Sequence, residues 1–183
     1  KDTSGNTLSS QYETSSGFTS VGLFVAVGAA ATILTTTSDG TSWSSISYGG
    51  TENLRAVTYG NNTFVTVGGG GMIFTSSDGI TWDNRTSASG TSNSLNGVTY
   101  GNSTFVTVGA SGTILTSSDG TSWDNRTSGR SSDIFGITFG NSIFVAVGSN
   151  GAGDILTSSD GISWDNGTHP TSSSDLLGVT YAN

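Results

Sequence analysis

Phe105-Val106-Thr107-Val108-Gly109, followed by Ser118-Asp119-Gly120-Thr121-Ser122-Trp123, is the stretch whose reading decides the fold. Both elements occur four times. F-V-[AT]-V-G begins at Phe24, Phe64, Phe105 and Phe144, and an S-D-G-x-[ST]-W box ends at Trp43, Trp82, Trp123 and Trp164. The phenylalanines are 40, 41 and 39 residues apart and the tryptophans 39, 41 and 41, so one register is held along all 183 residues. A fixed period of about forty residues marks a repeat architecture, in which each unit buries its apolar face against the next. Copying also dilutes any unique residue. Architecture is therefore easier to read from this chain than chemistry.

Within the third unit, Gly97 to Tyr100 alternates apolar and polar residues and stops at the turn pair Gly101-Asn102. Thr104 to Val108 is β-branched and aromatic and stops at Gly109. Thr113 to Thr116 runs into Ser117-Ser118-Asp119-Gly120, and Thr121 to Asn125 follows. This reads as four short strands joined by three tight turns. Short apolar runs, abundant Gly, Ser, Thr and Asn, and the lack of a 3.6-residue period exclude helix. Continuous runs such as Phe105-Val106 and Ile114-Leu115 fit strands covered on both faces. Four antiparallel strands per forty residues match one blade of a β-propeller. The expected fold is all-β, a propeller of about four four-stranded antiparallel blades with an extra strand at each terminus.

The box resembles the Asp-box hairpin of the sialidase-like, BNR-repeat propellers, although here Asp and Gly are adjacent: Asp39-Gly40, Asp78-Gly79, Asp119-Gly120 and Asp160-Gly161. The resemblance covers all four units and implies a structural rim turn, with the Asp carboxylate bonding loop amides and Trp43, Trp82, Trp123 and Trp164 packing between strands. An Asp-Gly turn also has a local reason, because glycine supplies φ > 0 and Asp accepts neighbouring N–H groups. Calcium ligation is the competing reading, but one carboxylate per unit falls short of the six to eight oxygens that ion takes. The Trp-Asp pairs do not make a WD40 repeat, since the Gly-His element is missing and His169 is the only histidine.

Read outward from these boxes, the blades occupy about 17–50, 55–90, 96–130 and 135–170 within 17–176. Residues 1–16 form an N-terminal segment whose Thr7 to Glu13 is a candidate blade-completing strand. Residues 177–183 repeat the opening strand, as Gly178-Val179-Thr180-Tyr181. Three arrangements accommodate these ends: a longer propeller, pairing of the two ends, or strand addition between identical chains, which runs head to tail.

Composition narrows the function. The net charge of −8, with five cations, argues against a nucleic-acid partner. Seven of the 13 acidic residues recur in phase, at the four boxes and at Asp83, Asp124 and Asp165, so the acidity follows from repetition. Zero cysteines remove disulfides, Cys-ligated zinc and thiol catalysis. Serine and threonine fill 62 positions and charged residues 10%, a hydroxyl-rich composition suited to a secreted or cell-surface β protein; the opening at Lys1 fits a processed product. Val21 to Leu34 is too short for a membrane span and reads as two core strands, so no membrane insertion is expected.

No catalytic, cofactor or metal residues are assigned. The sialidase resemblance implies three arginines on the substrate carboxylate, a Tyr/Glu nucleophile pair and an acid Asp. Glu13 and Glu52 are the only glutamates, and Arg85 and Arg126 merely occupy equivalent repeat positions. No G-x-S-x-G elbow accompanies His169. Sequons lie at Asn61, Asn84, Asn102, Asn125 and Asn166, at strand ends or turns where a glycan can project. The expected function is an extracellular, non-catalytic structural or adhesive module that pairs with itself through its terminal strands. The alternative is a carbohydrate-binding propeller using the recurring aromatics Tyr59, Tyr100, Phe139 and Tyr181; the competing reading places those rings in the core.

Overall fold

A computed structural model of the chain describes residues 22–36, 40–149, 154–166 and 174–182. They form four antiparallel sheets in chain order, each strand pairing with the next in sequence. Sheet I holds β1 (Phe24–Val27), β2 (Thr32–Thr36) and β3 (Ser44–Ser47). Sheet II holds β4 (Leu54–Gly60), β5 (Thr63–Gly68), β6 (Ile73–Ser76) and β7 (Asp83–Asn84). Sheet III holds β8 (Leu95–Gly101), β9 (Thr104–Gly109), β10 (Thr113–Ser117) and β11 (Asp124–Thr127). Sheet IV holds β12 (Ile134–Gly140), β13 (Ile143–Gly148), β14 (Asp154–Ser158) and β15 (Asp165–Asn166). The expected strand at Thr7 to Glu13, the start of the first unit at Gly17, and the residues Asp39 and His169 lie outside the described residues.

The first three strands of each repeated sheet fall close to where the apolar pattern puts them. The fourth is displaced. The sequence predicts a strand over Thr121 to Asn125, whereas β11 covers Asp124–Thr127, because Thr121 and Ser122 are held in the box loop by Asp119. The hairpin before β5, β9 and β13 also turns one residue later than expected. Asn61-Asn62, Asn102-Ser103 and Asn141-Ser142 all have φ between +46° and +63°, the two consecutive positive values of a tight hairpin turn.

Alternation along the central strands explains why these runs are apolar throughout. Phe105 of β9 and Leu115 of β10 pack with Val65, Val67 and Ile73 of sheet II. Val106 and Val108 of β9 and Ile114 of β10 pack with Ile134, Phe144, Ala146 and Leu156 of sheet IV. A third cluster, Ala31, Ile33, Leu54, Phe74 and Trp82, joins sheets I and II. Residues adjacent in sequence thus enter different cores. Burying one such Phe, Leu or Val contributes about 1.5 to 3 kcal/mol. Buried threonines on the same strands are satisfied locally: Thr66 and Thr107 donate to the Ala56 and Gly97 carbonyls at 2.9 and 2.8 Å, where β4 and β8 carry a bulge.

Glycine at the end of each opening strand is required by the neighbouring sheet. A Cβ on Gly60, Gly101 or Gly140 would lie 2.1 Å from the ring of Tyr100, Phe139 or Tyr181 respectively. Each of these aromatics therefore sits on the backbone of the preceding opening strand. Tyr59, Tyr100 and Phe139 also pack on Phe64, Phe105 and Phe144 of their own sheets, with centroids 4.5, 4.6 and 4.6 Å apart.

The first unit departs from the expected core. Phe105 and Phe144 are fully buried, but Phe24 is 56% exposed and Trp43 is 45% exposed, while Trp82 is 5% exposed. Phe24 has no ring over it among the described residues, and Trp43 has no preceding sheet there to close on it. Replacing Trp82 by Ala is expected to lower unfolding free energy by about 3 to 5 kcal/mol, and replacing Trp43 by Ala by less than about 1 kcal/mol. Urea denaturation followed by circular dichroism measures both; equal losses would contradict this packing.

Candidate functional site

The boxes of sheets II, III and IV are built alike from serine and aspartate. In sheet II the Ser76 hydroxyl donates to Asp78 Oδ1 at 3.0 Å and accepts from the Gly79 N–H at 2.7 Å. Asp78 Oδ1 accepts from the Ile80 and Thr81 N–H groups at 2.8 and 2.7 Å, and Trp82 Nε1 donates to the Gly79 carbonyl at 3.1 Å. The boxes ending at Trp123 and Trp164 repeat this with Ser117, Asp119 and Gly120, and with Ser158, Asp160 and Gly161. In the first box, Trp43 Nε1 donates to the Gly40 carbonyl at 3.0 Å. The serine two positions before Asp78, Asp119 and Asp160 is a partner that the S-D-G reading missed. Its signal was present as the repeated T-S-S-D-G.

These carboxylates are occupied by the loop. N–H groups of Thr81 and Ile80 hold Asp78 down to about 2. The Thr121 hydroxyl and the amides of Ser122 and Thr121 hold Asp119 lower still, and the Ser163 and Ile162 amides lower Asp160. Among the described residues, no three His, Asp or Glu side chains converge as a metal cage requires. The box glycines also join sheets. Gly79, Gly120 and Gly161 have φ of +71°, +78° and +76°, and a Cβ there would meet Leu23 of the first unit, Val65 of sheet II and Val106 of sheet III. Each box is thereby seated on the preceding sheet.

The recurring aromatics divide by position. Tyr100 and Phe139, between two sheets, are partly buried core rings; Tyr59 and Tyr181 are 54% and 47% exposed. Asn61, Asn84, Asn102 and Asn125 are exposed, although the Asn102 amide donates to the Ser159 carbonyl at 3.3 Å. Asn166 is placed only by its backbone pairing with Leu156.

Two features were not singled out from sequence. Arg126 Nη2 pairs with Asp124 at 2.8 Å and its Nε donates to Thr116 Oγ1 at 2.8 Å; Arg85 makes the same contacts to Asp83 and Thr75 at 2.9 and 3.3 Å. A cavity of about 280 Å³ lies beside Arg126, between sheets III and IV. Arg130 reaches from the loop after β11 to the buried Asp154 of β14 at 3.0 Å. Asp154 had a signal, since it stands where the other units carry Thr32, Met72 and Thr113.

Against this geometry, no protein-family model and no curated protein matches the sequence. Among solved structures, YCF48 bound to a D1 peptide is similar with a TM-score of 0.66 and 21% identity, over 85% of this chain and 53% of that one. YCF48 from Cyanidioschyzon merolae gives 0.63 and 18%, over 86% and 55%. The chain has a β-propeller fold. A computationally designed protein, Ika8, is similar at 0.54 and 14%, over 83% and 50%. The propeller chain spans about half the length of each of these structures.

Depressed box carboxylates stabilise the folded propeller only while ionised. Their contribution is fully present above the unfolded Asp value of about 4 and is lost as pH falls through the folded value. For Asp78 that window runs from about 4 to about 2. Thermal melting is expected to be insensitive to these groups between pH 7 and about 5 and to fall below about 4. Replacing Asp78, Asp119 and Asp160 together by Asn should flatten the acid limb, and an unchanged limb would show that the boxes do not set it.

Proposed function

We propose that this chain is a non-catalytic structural module of the Asp-box, BNR-repeat kind, with four blades and one further opening strand, which joins copies of itself head to tail outside the cell. The observation that carries the reading is the placement of residues 174–182. Leu176 N–H donates to the Gly148 carbonyl at 3.2 Å, as Leu54 N–H donates to the Gly28 carbonyl at 2.9 Å where blade two meets blade one. A Cβ on Gly136 would meet Gly178, and Tyr181 sits on Gly140 as Tyr100 sits on Gly60. The segment therefore docks on blade four as each opening strand docks on the blade before it. It forms no strand pairing among the described residues.

Blade one supplies the complementary half. Its three described strands leave the outer edge of β1 unpaired among the described residues, and its Phe24 lacks the covering ring that Phe64, Phe105 and Phe144 have. Tyr181 packs on no phenylalanine among the described residues. Strand addition of Gly178–Tyr181 alongside blade one of a second copy, whose opening residues from Gly17 lie outside the described residues, would bring Tyr181 to Phe24. A row of unpaired N–H and C=O groups is the physical basis of such addition. Because the two surfaces differ, the contact is heterologous and builds an open chain unless its rotation closes.

A second reading uses the same edge for an extended peptide. YCF48, a fold neighbour, is described as bound to a D1 peptide. Non-catalytic function is supported by box carboxylates committed to loop amides and by arginines paired within their own blades.

Light scattering over a dilution series is expected to show mass growing in steps of 18.5 kDa, with filaments under the electron microscope. Tyr181→Arg or Phe24→Arg should each abolish growth while leaving the melting temperature unchanged, both side chains being exposed. A monomer at every concentration would overturn self-association and leave peptide capture as the use of this edge. Outside-the-cell placement has its own test. When the chain is secreted from a eukaryotic host, intact mass should exceed the polypeptide through the exposed Asn61, Asn84 and Asn125; no excess would remove the glycoprotein reading.

A further inference from the structure

We infer that the groove beside Arg126, together with the repeat-equivalent surface beside Arg85, forms a pair of sites for a neutral polyhydroxylated ligand, an oligosaccharide without acidic groups. The groove beside Arg126 has a volume of about 280 Å³, near the lower bound of about 300 Å³ for small-molecule pockets. Its walls come from two blades: Thr116, Ser118, Asp124 and Arg126 from blade three, Asp160 and Ile162 from the box of blade four.

The guanidinium is fixed before any ligand arrives. Its Nε and Nη2 are held by Thr116 Oγ1 and Asp124 Oδ2, leaving Nη1 and Asp124 Oδ1 without partners among the described residues. A free donor beside a free acceptor, flanked by serine hydroxyls, suits vicinal hydroxyl groups, each of which both donates and accepts. Ile162, 50% exposed at the rim, offers an apolar wall for the C–H face of a sugar ring.

Charge decides the ligand class. One arginine against Asp124 and Asp160 leaves the lining with a net negative balance, and the chain carries −8 overall, so phosphate, sulfate and uronic acids are disfavoured. A cationic ligand meets the guanidinium, and two carboxylates, one of them already committed to its box, fall short of a calcium shell.

Repetition favours an oligomer over a single sugar. Arg85, Asp83 and Thr75 reproduce the arrangement on blade two, where the box of blade three, through Gly120, packs on Thr63 and Thr75 as Gly161 packs on Thr116. In sequence, Ile46 and Gly167 stand at the arginine position of the first and fourth units, so the arginine marks adjacent blades two and three. Two linked contacts to one chain raise affinity through effective concentration.

Amide NMR titration with maltotriose, chitotriose, mannotriose and 3′-sialyllactose, each to about 10 mM, tests the assignment. At least one neutral trisaccharide should shift Ser118, Arg126 and Ile162, with matching shifts at Ser77, Arg85 and Thr121, and should outcompete sialyllactose. The Arg85→Gln, Arg126→Gln double variant should lose at least about tenfold in affinity. Ile162→Ser, at an exposed rim position clear of the ion pairs, should weaken only the groove between blades three and four. Absence of groove shifts with every neutral sugar, preference for sialyllactose, or unchanged affinity in both variants would overturn the proposal.

Discussion

Every blade between two neighbours is held by one constraint: its middle strands bury both faces at once. Phe105 enters the core shared with blade two and Val106 the core shared with blade four, one residue apart. A strand covered on both faces has no polar face to expose, which is why F-V-x-V-G and T-I-L-T read as continuous rather than alternating. The polar atoms that remain on these strands, such as Thr107 Oγ1, need partners inside the blade and find them at the bulged carbonyls of the opening strand. Remove that two-sided burial and the boxes have nothing to sit on.

The S-D-G-x-[ST]-W boxes are the second tier of the same design. Ser117, Asp119 and the amides of Thr121 and Ser122 close a loop that holds Trp123 against its own blade, and Gly120 lets that loop touch the blade before it. Lowered aspartate pKa values follow directly, since carboxylates accepting backbone N–H groups prefer to stay ionised. Carboxylates so committed are held ionised by their own loops, and the boxes leave a groove beside Arg126 between blades three and four.

An array in which each unit contacts only its neighbours carries unsatisfied surfaces at its ends, in the manner of a one-dimensional repeat. Among the described residues Phe24 has no covering ring and Tyr181 packs on no phenylalanine, and these are the two side chains that the proposed strand addition would join. The same residue types are core in the middle of the array and surface at its ends.

The four-fold register, strand class and turn chemistry were legible in the sequence alone, because two-sided burial writes apolar runs and because Asp-Gly and Asn-x turns need particular residues. Tertiary structure decided the rest. Trp43 and Trp82 occupy the same place in the motif, yet one is 45% and the other 5% exposed, since burial depends on which blade stands alongside. Arg126 and Asp124 are ordinary surface residues in the sequence, and Asp160 lies 34 positions beyond Arg126. They line one groove only because a blade closes on its predecessor through Gly161, a contact between units that no motif within a unit encodes.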